Sequence, residues 1–76
     1  MPHVIVKLYS GRTEQQKSGI AHEVTKAVMA AASCPEHSVS VSIEDVEPDD
    51  WAEKVWRPDI IGRPEQLYKK PGYNPL

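Results

Sequence analysis

The chain has 76 residues, the length of one small domain, so we expect a single domain over residues 1–76. Nine lysines and arginines against eleven acidic residues give a net charge of −2. This balance argues against nucleic acid as a partner, because phosphate binding needs clustered basic residues. No apolar run approaches the roughly 20 residues that cross a bilayer, so no membrane partner is expected.

Cysteine and histidine usage limits the sites that the chain can carry. The single cysteine, Cys34, cannot form a disulfide within the chain and is typical of a reducing compartment, so we expect a cytoplasmic protein. The three histidines are scattered, none has a zinc-site spacing to the cysteine, and no metal site is expected. A chain this short buries only about 60% of its unfolded surface, so we expect self-association to supply the missing core.

Residues 3–9 alternate between two faces and predict a strand. One face carries Val4, Val6 and Leu8, and the other carries His3, Ile5, Lys7 and Tyr9. Ser10-Gly11 ends the strand, with Gly11 as the turn residue.

Residues 14–32 predict an amphipathic helix. Thr13 and Gln16 have the spacing of a capping box at its start. Its apolar residues recur at spacings of three and four, at Ile20, Val24, Ala27, Val28, Ala31 and Ala32. Pro35 ends the helix because a proline disfavours the helical conformation at the residue before it.

Residues 38–46 alternate again and predict a second strand, with Val39, Val41 and Ile43 on one face. A strand, a helix and a strand joined by short connections form a crossover unit, so the two strands should be parallel and the fold class α+β. Such a sheet is too small to be stable alone. We therefore expect two copies to join edge to edge into four strands with two helices on one face.

The last third of the chain is less regular. Pro48-Asp49-Asp50 predicts the start of a short helix that carries Trp51 and Trp56. Pro58 is expected to end this helix. The segment Pro64–Lys70 indicates one more helical turn before a turn-rich tail.

Pro2 is the candidate catalytic residue. Once Met1 is removed, as we expect, the Pro2 nitrogen is a secondary amine held in a rigid ring. Desolvation or a cationic neighbour favours the neutral form of such an amine, and the neutral form is a general base. His3 also has a side chain suited to proton transfer, but we prefer Pro2 and interpret His3 as a strand residue that tunes the site. A proline after an initiator methionine is more often without any function.

Arg12 is a candidate anion-binding residue between the end of the first strand and the start of the helix. Its guanidinium offers a bidentate fork that keeps its charge. The helix start adds backbone donors and a positive dipole end. From this position alone, a solvated arginine at a turn is the simpler interpretation.

Together these features resemble the 4-oxalocrotonate tautomerase family of small enzymes with an amino-terminal proline. The similar features are Pro2 at the head of the first strand, the run Leu8–Lys17 with its Gly-Arg pair and helix start, and the second strand Ser38–Glu44. The last third resembles a narrower branch, the dimeric bacterial tautomerases active on phenylpyruvate-type enols. The residues that carry this second likeness are Pro48, Trp51, Trp56 and Lys69–Tyr73.

One position departs from the family pattern. Hexameric members carry a second arginine in the middle of the second strand, where this chain has Ser40. The two-arginine clamp for a dicarboxylate is therefore incomplete, which favours a monocarboxylate 2-keto acid or its enol as the substrate. Arg57 and Arg63 are candidates for the missing charge, although each lies beside a proline in a weakly patterned segment.

The resemblance implies a cofactor-free enol–keto tautomerase acting on 2-keto acid enols such as phenylenolpyruvate, with Pro2 as base and acid. It implies substrate binding by Arg12 and by Trp51, for which ordinary core packing is an equal interpretation. Tyr9 could line the pocket, donate to an enolate oxygen, or be a rim aromatic at a subunit interface. The family forms dimers or trimers of dimers, and the longer tail of this chain favours a homodimer.

Two other functions stay open at this point. The chain could be a non-catalytic dimeric binding or assembly module of the same fold, or a hydratase or dehalogenase of unsaturated acids. Fold alone does not separate these functions. The presence of both Pro2 and Arg12 favours the tautomerase.

Overall fold

Two parallel strands, β1 (His3–Tyr9) and β2 (Ser40–Val46), form a two-stranded sheet. The backbone amide of Ser40 donates to the carbonyl of Pro2 at 3.2 Å, which places the start of β2 beside the start of β1. The structure is a computed structural model that describes all residues from Met1 to Leu76. It divides into two compact units, Met1–Asp45 and Val46–Leu76, which are described separately below.

The helix α1 (Glu14–Ala32) connects the two strands. Thr13 Oγ1 accepts from the amide of Gln16 at 3.1 Å, and Gln16 Oε1 accepts from the amide of Thr13 at 2.9 Å. This capping box satisfies two of the donors that a helix start leaves without partners. Ser33 ends the helix in the left-handed conformation, with φ 53°. The predicted strand β1, helix and crossover are thus confirmed.

The helix covers one face of the sheet. Ala21, Thr25 and Met29 of α1 line one surface depression with Val41, and Ala21 lines another with Ile43. Because successive residues of a strand point to opposite faces, the even-numbered residues of β2 lie on the face away from α1. The odd-numbered residues of β1, from His3 to Tyr9, lie on that same face. The predicted helix stripe is half-buried at Ile20, Val24 and Val28, whereas Ala27, Ala31 and Ala32 are exposed.

A salt-bridge cluster joins α1 to β2 on the helix side. Lys17 Nζ lies 2.9 Å from Asp45 Oδ2 and 3.1 Å from Glu14 Oε1. The hydrogen bond to Asp45 and then the bond to Glu14 raise the pKa of Lys17 above its ordinary value of 10.5. The cluster thereby favours the charged lysine in the folded state.

The second strand begins two residues later than predicted. Glu36–Ser38 form a 3₁₀ turn instead, in which the Ser38 amide and hydroxyl both donate to the carbonyl of Pro35, at 3.1 Å and 2.8 Å. These local bonds compete with strand pairing, as serine side chains often do after a helix end.

The second unit contains a 3₁₀ turn, Pro48–Asp50, then a π-helix, Ala52–Ile61, and a last 3₁₀ turn, Pro64–Gln66. The prediction that Pro58 ends the helix is wrong, because the helix continues for three residues beyond it. A proline ring clashes with the carbonyl four residues earlier in an α-helix, whereas the wider π turn relieves that alignment. Gly62 closes the helix at a point where a Cβ would collide with the carbonyl oxygen of Arg57.

Buried side chains are few. They are Val46, Val55 and Trp56, all in the second unit. None of the 19 residues of α1 is buried, and Ile5 on β1 is 53% exposed. The first unit on its own thus leaves much of its apolar surface in water. No helix combines the length and the apolar character needed to cross a membrane.

Two glycines give a matched test of the backbone. Gly11 has φ +120° and Gly19 lies inside α1, and a Cβ at either position would meet nothing within 4 Å. We expect Gly11→Ala to lower the free energy of unfolding by about 1–3 kcal/mol because it forces an L-residue into that conformation. Gly19→Ala should raise it by about 0.5–1 kcal/mol. Urea unfolding at one protein concentration measures the change in unfolding free energy for each variant. Changes of the same sign in the two variants would contradict the turn conformation of Gly11.

The Lys17 cluster gives a pH-dependent prediction. Because its pKa is higher in the folded protein, its contribution is complete below pH 10.5 and is lost as the pH rises through the raised folded value. Lys17→Met should therefore lower stability more at about pH 8 than at about pH 12. Lys26→Met is the control, since Lys26 pairs with Glu23 at an exposed site. If Lys17→Met lowers the free energy of unfolding equally at both pH values, the cluster does not stabilise the charged lysine.

Candidate active site

Pro2 lies at the start of β1. Its ring is half-buried, and its carbonyl accepts from the amide of Ser40. In this structure Met1 precedes it, so the Pro2 nitrogen is an amide and carries no proton to exchange. The Met1 side chain is fully exposed, at 101%, and is thus accessible for removal.

A hydrogen bond between side chains lies next to Pro2. His3 Nδ1 is 2.7 Å from Ser40 Oγ, and both residues are exposed. The pair joins the first residues of the two strands on the face away from α1. Ser40, the position that departs from the hexameric pattern, therefore binds the neighbour of the predicted catalytic residue.

Arg12 lies at the opposite end of β1. Its Nη1 donates to the carbonyl of Tyr9 at 3.2 Å, so the guanidinium is held at the last residue of the strand and just before the start of α1. Arg12 is exposed, and one contact leaves most of its five donors for a ligand. The geometry suits anion binding.

The length of β1 separates these two predicted site residues. A parallel strand rises about 3.3 Å per residue, so Pro2 and Tyr9 are about 23 Å apart along the chain. That span exceeds the length of a small keto acid. Within one chain, the structure does not bring Pro2 and Arg12 together.

Tyr9 belongs to the Arg12 end of the strand. Its side chain is 42% exposed, and its carbonyl is the acceptor for the Arg12 guanidinium. An aromatic ring and a guanidinium thus lie at the same strand end. Any role of Tyr9 with substrate is tied to that of Arg12 rather than to Pro2 of the same chain.

Trp51 lies in the second unit and is half-buried. Its indole Nε1 donates to the hydroxyl of Tyr73 at 3.1 Å. The ring of Tyr73 packs against Trp56, with centroids 5.5 Å apart and planes tilted by 48°. Tyr73 therefore links both tryptophans, a role that sequence reasoning missed because a turn-rich tail gives no periodic signal.

Two arginines were candidates for the charge absent at Ser40. Arg57 pairs with Glu53 one helical turn earlier, so its charge is largely neutralised. Arg63 is exposed, and its backbone amide donates to the carbonyl of Ile60 at 3.3 Å. Of the two, Arg63 alone keeps an exposed side chain without a salt bridge.

Comparison with known proteins shows the family to which the chain belongs. The sequence model of the tautomerase enzyme family matches residues 2–55, from Pro2 through β1, α1 and β2. The chain belongs to the tautomerase family. A probable tautomerase of Xylella fastidiosa is 40% identical over all 76 residues and 93% of its own length. Tautomerase PptA of Klebsiella pneumoniae is 39% identical over 97% of the chain and 99% of its own length.

Solved structures agree with this assignment. A 4-oxalocrotonate tautomerase isozyme of Methylibium petroleiphilum is 40% identical, with a TM-score of 0.64 over 66% of this chain and 81% of its own. TomN, a 4-oxalocrotonate tautomerase homologue of the tomaymycin biosynthetic pathway, has the same TM-score at 28% identity. The predicted 4-oxalocrotonate tautomerase fold, a β-α-β unit with parallel strands, is confirmed. The protein is an enzyme, a tautomerase.

The link between Trp51 and Tyr73 can be tested with a one-atom change. Tyr73→Phe keeps the ring against Trp56 but removes the acceptor for the Trp51 indole. We expect a loss of about 0.5–1.5 kcal/mol in unfolding free energy and a changed tryptophan emission. Tyr68→Phe is the matched control because the Tyr68 side chain is 99% exposed. Identical behaviour of the two variants would contradict a role for the Tyr73 hydroxyl.

Proposed function

We propose that this tautomerase interconverts enol and keto forms of 2-keto acids of the phenylenolpyruvate type, with the amine of Pro2 as general base and acid. One observation carries the proposal: a proline that becomes N-terminal on loss of Met1 stands at the head of β1 in a tautomerase chain. The lone cysteine supports a reducing compartment such as the cytoplasm.

The proposed reaction moves one proton. The neutral Pro2 amine takes the proton of the enol hydroxyl, the carbon–oxygen bond becomes a carbonyl, and the ammonium returns the proton to the neighbouring carbon. No electrons leave the substrate, so the conversion needs no redox partner. A base whose pKa lies near the working pH is the most efficient catalyst of such a proton transfer.

A second copy of the chain is proposed to complete the site. β1 is the more apolar edge, with Ile5 53% exposed, whereas β2 carries Ser40, Ser42 and Glu44 on the same face. Polar and charged residues protect a strand edge against pairing. We therefore place the dimer contact along β1, with the two copies of this strand antiparallel.

Antiparallel pairing resolves the separation within one chain. The start of each β1 then lies beside the end of the other, so Pro2 of one copy meets Tyr9 and Arg12 of the second copy. A two-fold axis repeats this arrangement and gives two equivalent sites per dimer. The guanidinium of Arg12 would bind the substrate carboxylate and favour the neutral form of the amine.

One fixed arginine per site suits a substrate with one carboxylate. We propose that Arg12 binds this carboxylate, that Tyr9 of the same copy lines the site, and that Trp51 binds the apolar end of the substrate. The role of Trp51 rests on the sequence likeness to the phenylpyruvate-type branch. An aromatic residue suits a substrate that carries a phenyl ring.

The role of Pro2 is tested by Pro2→Ala in protein whose loss of Met1 has been confirmed by intact mass. We expect kcat for phenylenolpyruvate ketonisation, followed by ultraviolet absorbance, to fall by about 100-fold or more, the usual contribution of general acid–base catalysis. His37→Gln, at an exposed turn residue, is the control. Full activity of Pro2→Ala, or of protein that retains Met1, would refute the mechanism.

The shared site is tested by mixing two inactive variants. Pro2→Ala and Arg12→Ala chains, unfolded together and refolded at equal amounts, should regain about a quarter of wild-type activity, because half of the dimers are mixed and one of their two sites is intact. If both residues act within one chain, no intact site forms and no activity returns. Sedimentation of the wild type should give twice the chain mass of 8.5 kDa.

A further inference from the structure

One side chain of the tail, Tyr73, ties the indole of Trp51 to a buried part of the second unit. The Tyr73 hydroxyl accepts from Trp51 Nε1 at 3.1 Å. The Tyr73 ring packs against Trp56, with centroids 5.5 Å apart, and Trp56 is only 7% exposed. A hydrogen bond and a ring contact therefore connect the half-buried Trp51 to the core of its own unit.

The hydrogen bond orders the Trp51 side chain before a ligand arrives. A tryptophan side chain turns about two bonds, and a ligand that has to fix such a side chain loses affinity, by about fivefold for one residue. Because the Tyr73 hydroxyl already holds the indole, a ligand that contacts this ring does not bear that cost. The bond therefore raises the affinity of ligands that contact the indole.

The same bond leaves the remainder of the indole as an apolar surface. Nε1–H is the single hydrogen-bonding group of the ring, and it can only donate. With this donor paired to Tyr73, an apolar group that covers the ring does not bury an unpaired donor. Aromatic rings contact one another in offset-stacked or edge-to-face arrangements, whereas burial of an aliphatic chain has no preferred direction. An indole in a fixed orientation thus suits a flat aromatic group better than an aliphatic one.

We propose that Tyr73 is a positioning residue of the site, which holds Trp51 in the orientation that selects enol acids with an aromatic side chain over those with an aliphatic one. The inference rests on the proposed function, in which Trp51 binds the apolar end of the substrate. Tyr73 acts through the Trp51 N–H and does not touch the reacting atoms. A tail without helix or strand thereby contributes to the choice of substrate.

The test compares two saturated monocarboxylates, hydrocinnamate and butyrate, which differ only in carrying a phenyl or a methyl group. Each is titrated into Met1-free enzyme and followed by NMR, which measures weak binding. The wild type should prefer hydrocinnamate, and Tyr73→Phe should lower the ratio of the two affinities by about fivefold. A loss of folded protein weakens the binding of both probes equally, so this ratio does not report stability.

Turnover gives a second readout that a purely structural role would not produce. Tyr73→Phe should raise KM for phenylenolpyruvate ketonisation by about fivefold and leave kcat within about twofold of the wild type, because the ground state and the transition state lose the same contact. A fall in kcat with an unchanged KM would contradict a positioning role.

Two further variants complete the test. Tyr68→Phe, at a side chain that is 99% exposed, should keep both the affinity ratio and KM. Trp51→Phe keeps an aromatic ring but has no N–H, so adding Tyr73→Phe to it should change the ratio no further. The proposal is overturned if the wild type binds both probes equally, if Tyr73→Phe keeps the wild-type ratio, or if the double variant shows a further drop. Failure of the proposed function itself would show separately, as unchanged ketonisation by Pro2→Ala.

Discussion

The extended length of β1 determines how the active site can be assembled. Its seven residues keep the ends of the strand about 20 Å apart, with Pro2 before one end and the Arg12 guanidinium bound at the other. A small acid cannot bridge them, and the dimer proposed above solves this by bringing one end of β1 beside the other end of its copy. In the proposed dimer the second chain also covers apolar surface that the first unit leaves exposed, which would couple the stability of the protein to the completeness of its site.

Much of the fold could be predicted because its signals are local. Alternation along β1, the Thr13 capping box and the glycine at Gly11 each act over a few residues, and the structure has all three. The errors arise where two local rules compete. At the start of β2, the side-chain hydrogen bond of Ser38 outweighs strand alternation, and at Pro58 a π turn accommodates a residue that would end an α-helix.

The sequence predicts which residues form the candidate site better than it predicts how those residues are arranged in space. Residue types and positions indicate Pro2 and Arg12, but their distance follows only from the uninterrupted strand between them. The bond between His3 and Ser40 depends on the pairing register of two strands 37 residues apart, which alternation alone does not fix. Sequence patterns in single segments do not report such contacts between segments.

The most direct test of the shared site is an isotope-filtered NOE measurement on a mixed dimer. Half of the chains carry ¹³C, Met1 is removed from all of them, and only contacts between a labelled and an unlabelled chain are detected. A shared site predicts contacts from the Pro2 ring of one chain to Tyr9 and Arg12 of the other. A dimer in which the Pro2 ring contacts other residues of the partner, and never the end of its β1, would contradict the shared site.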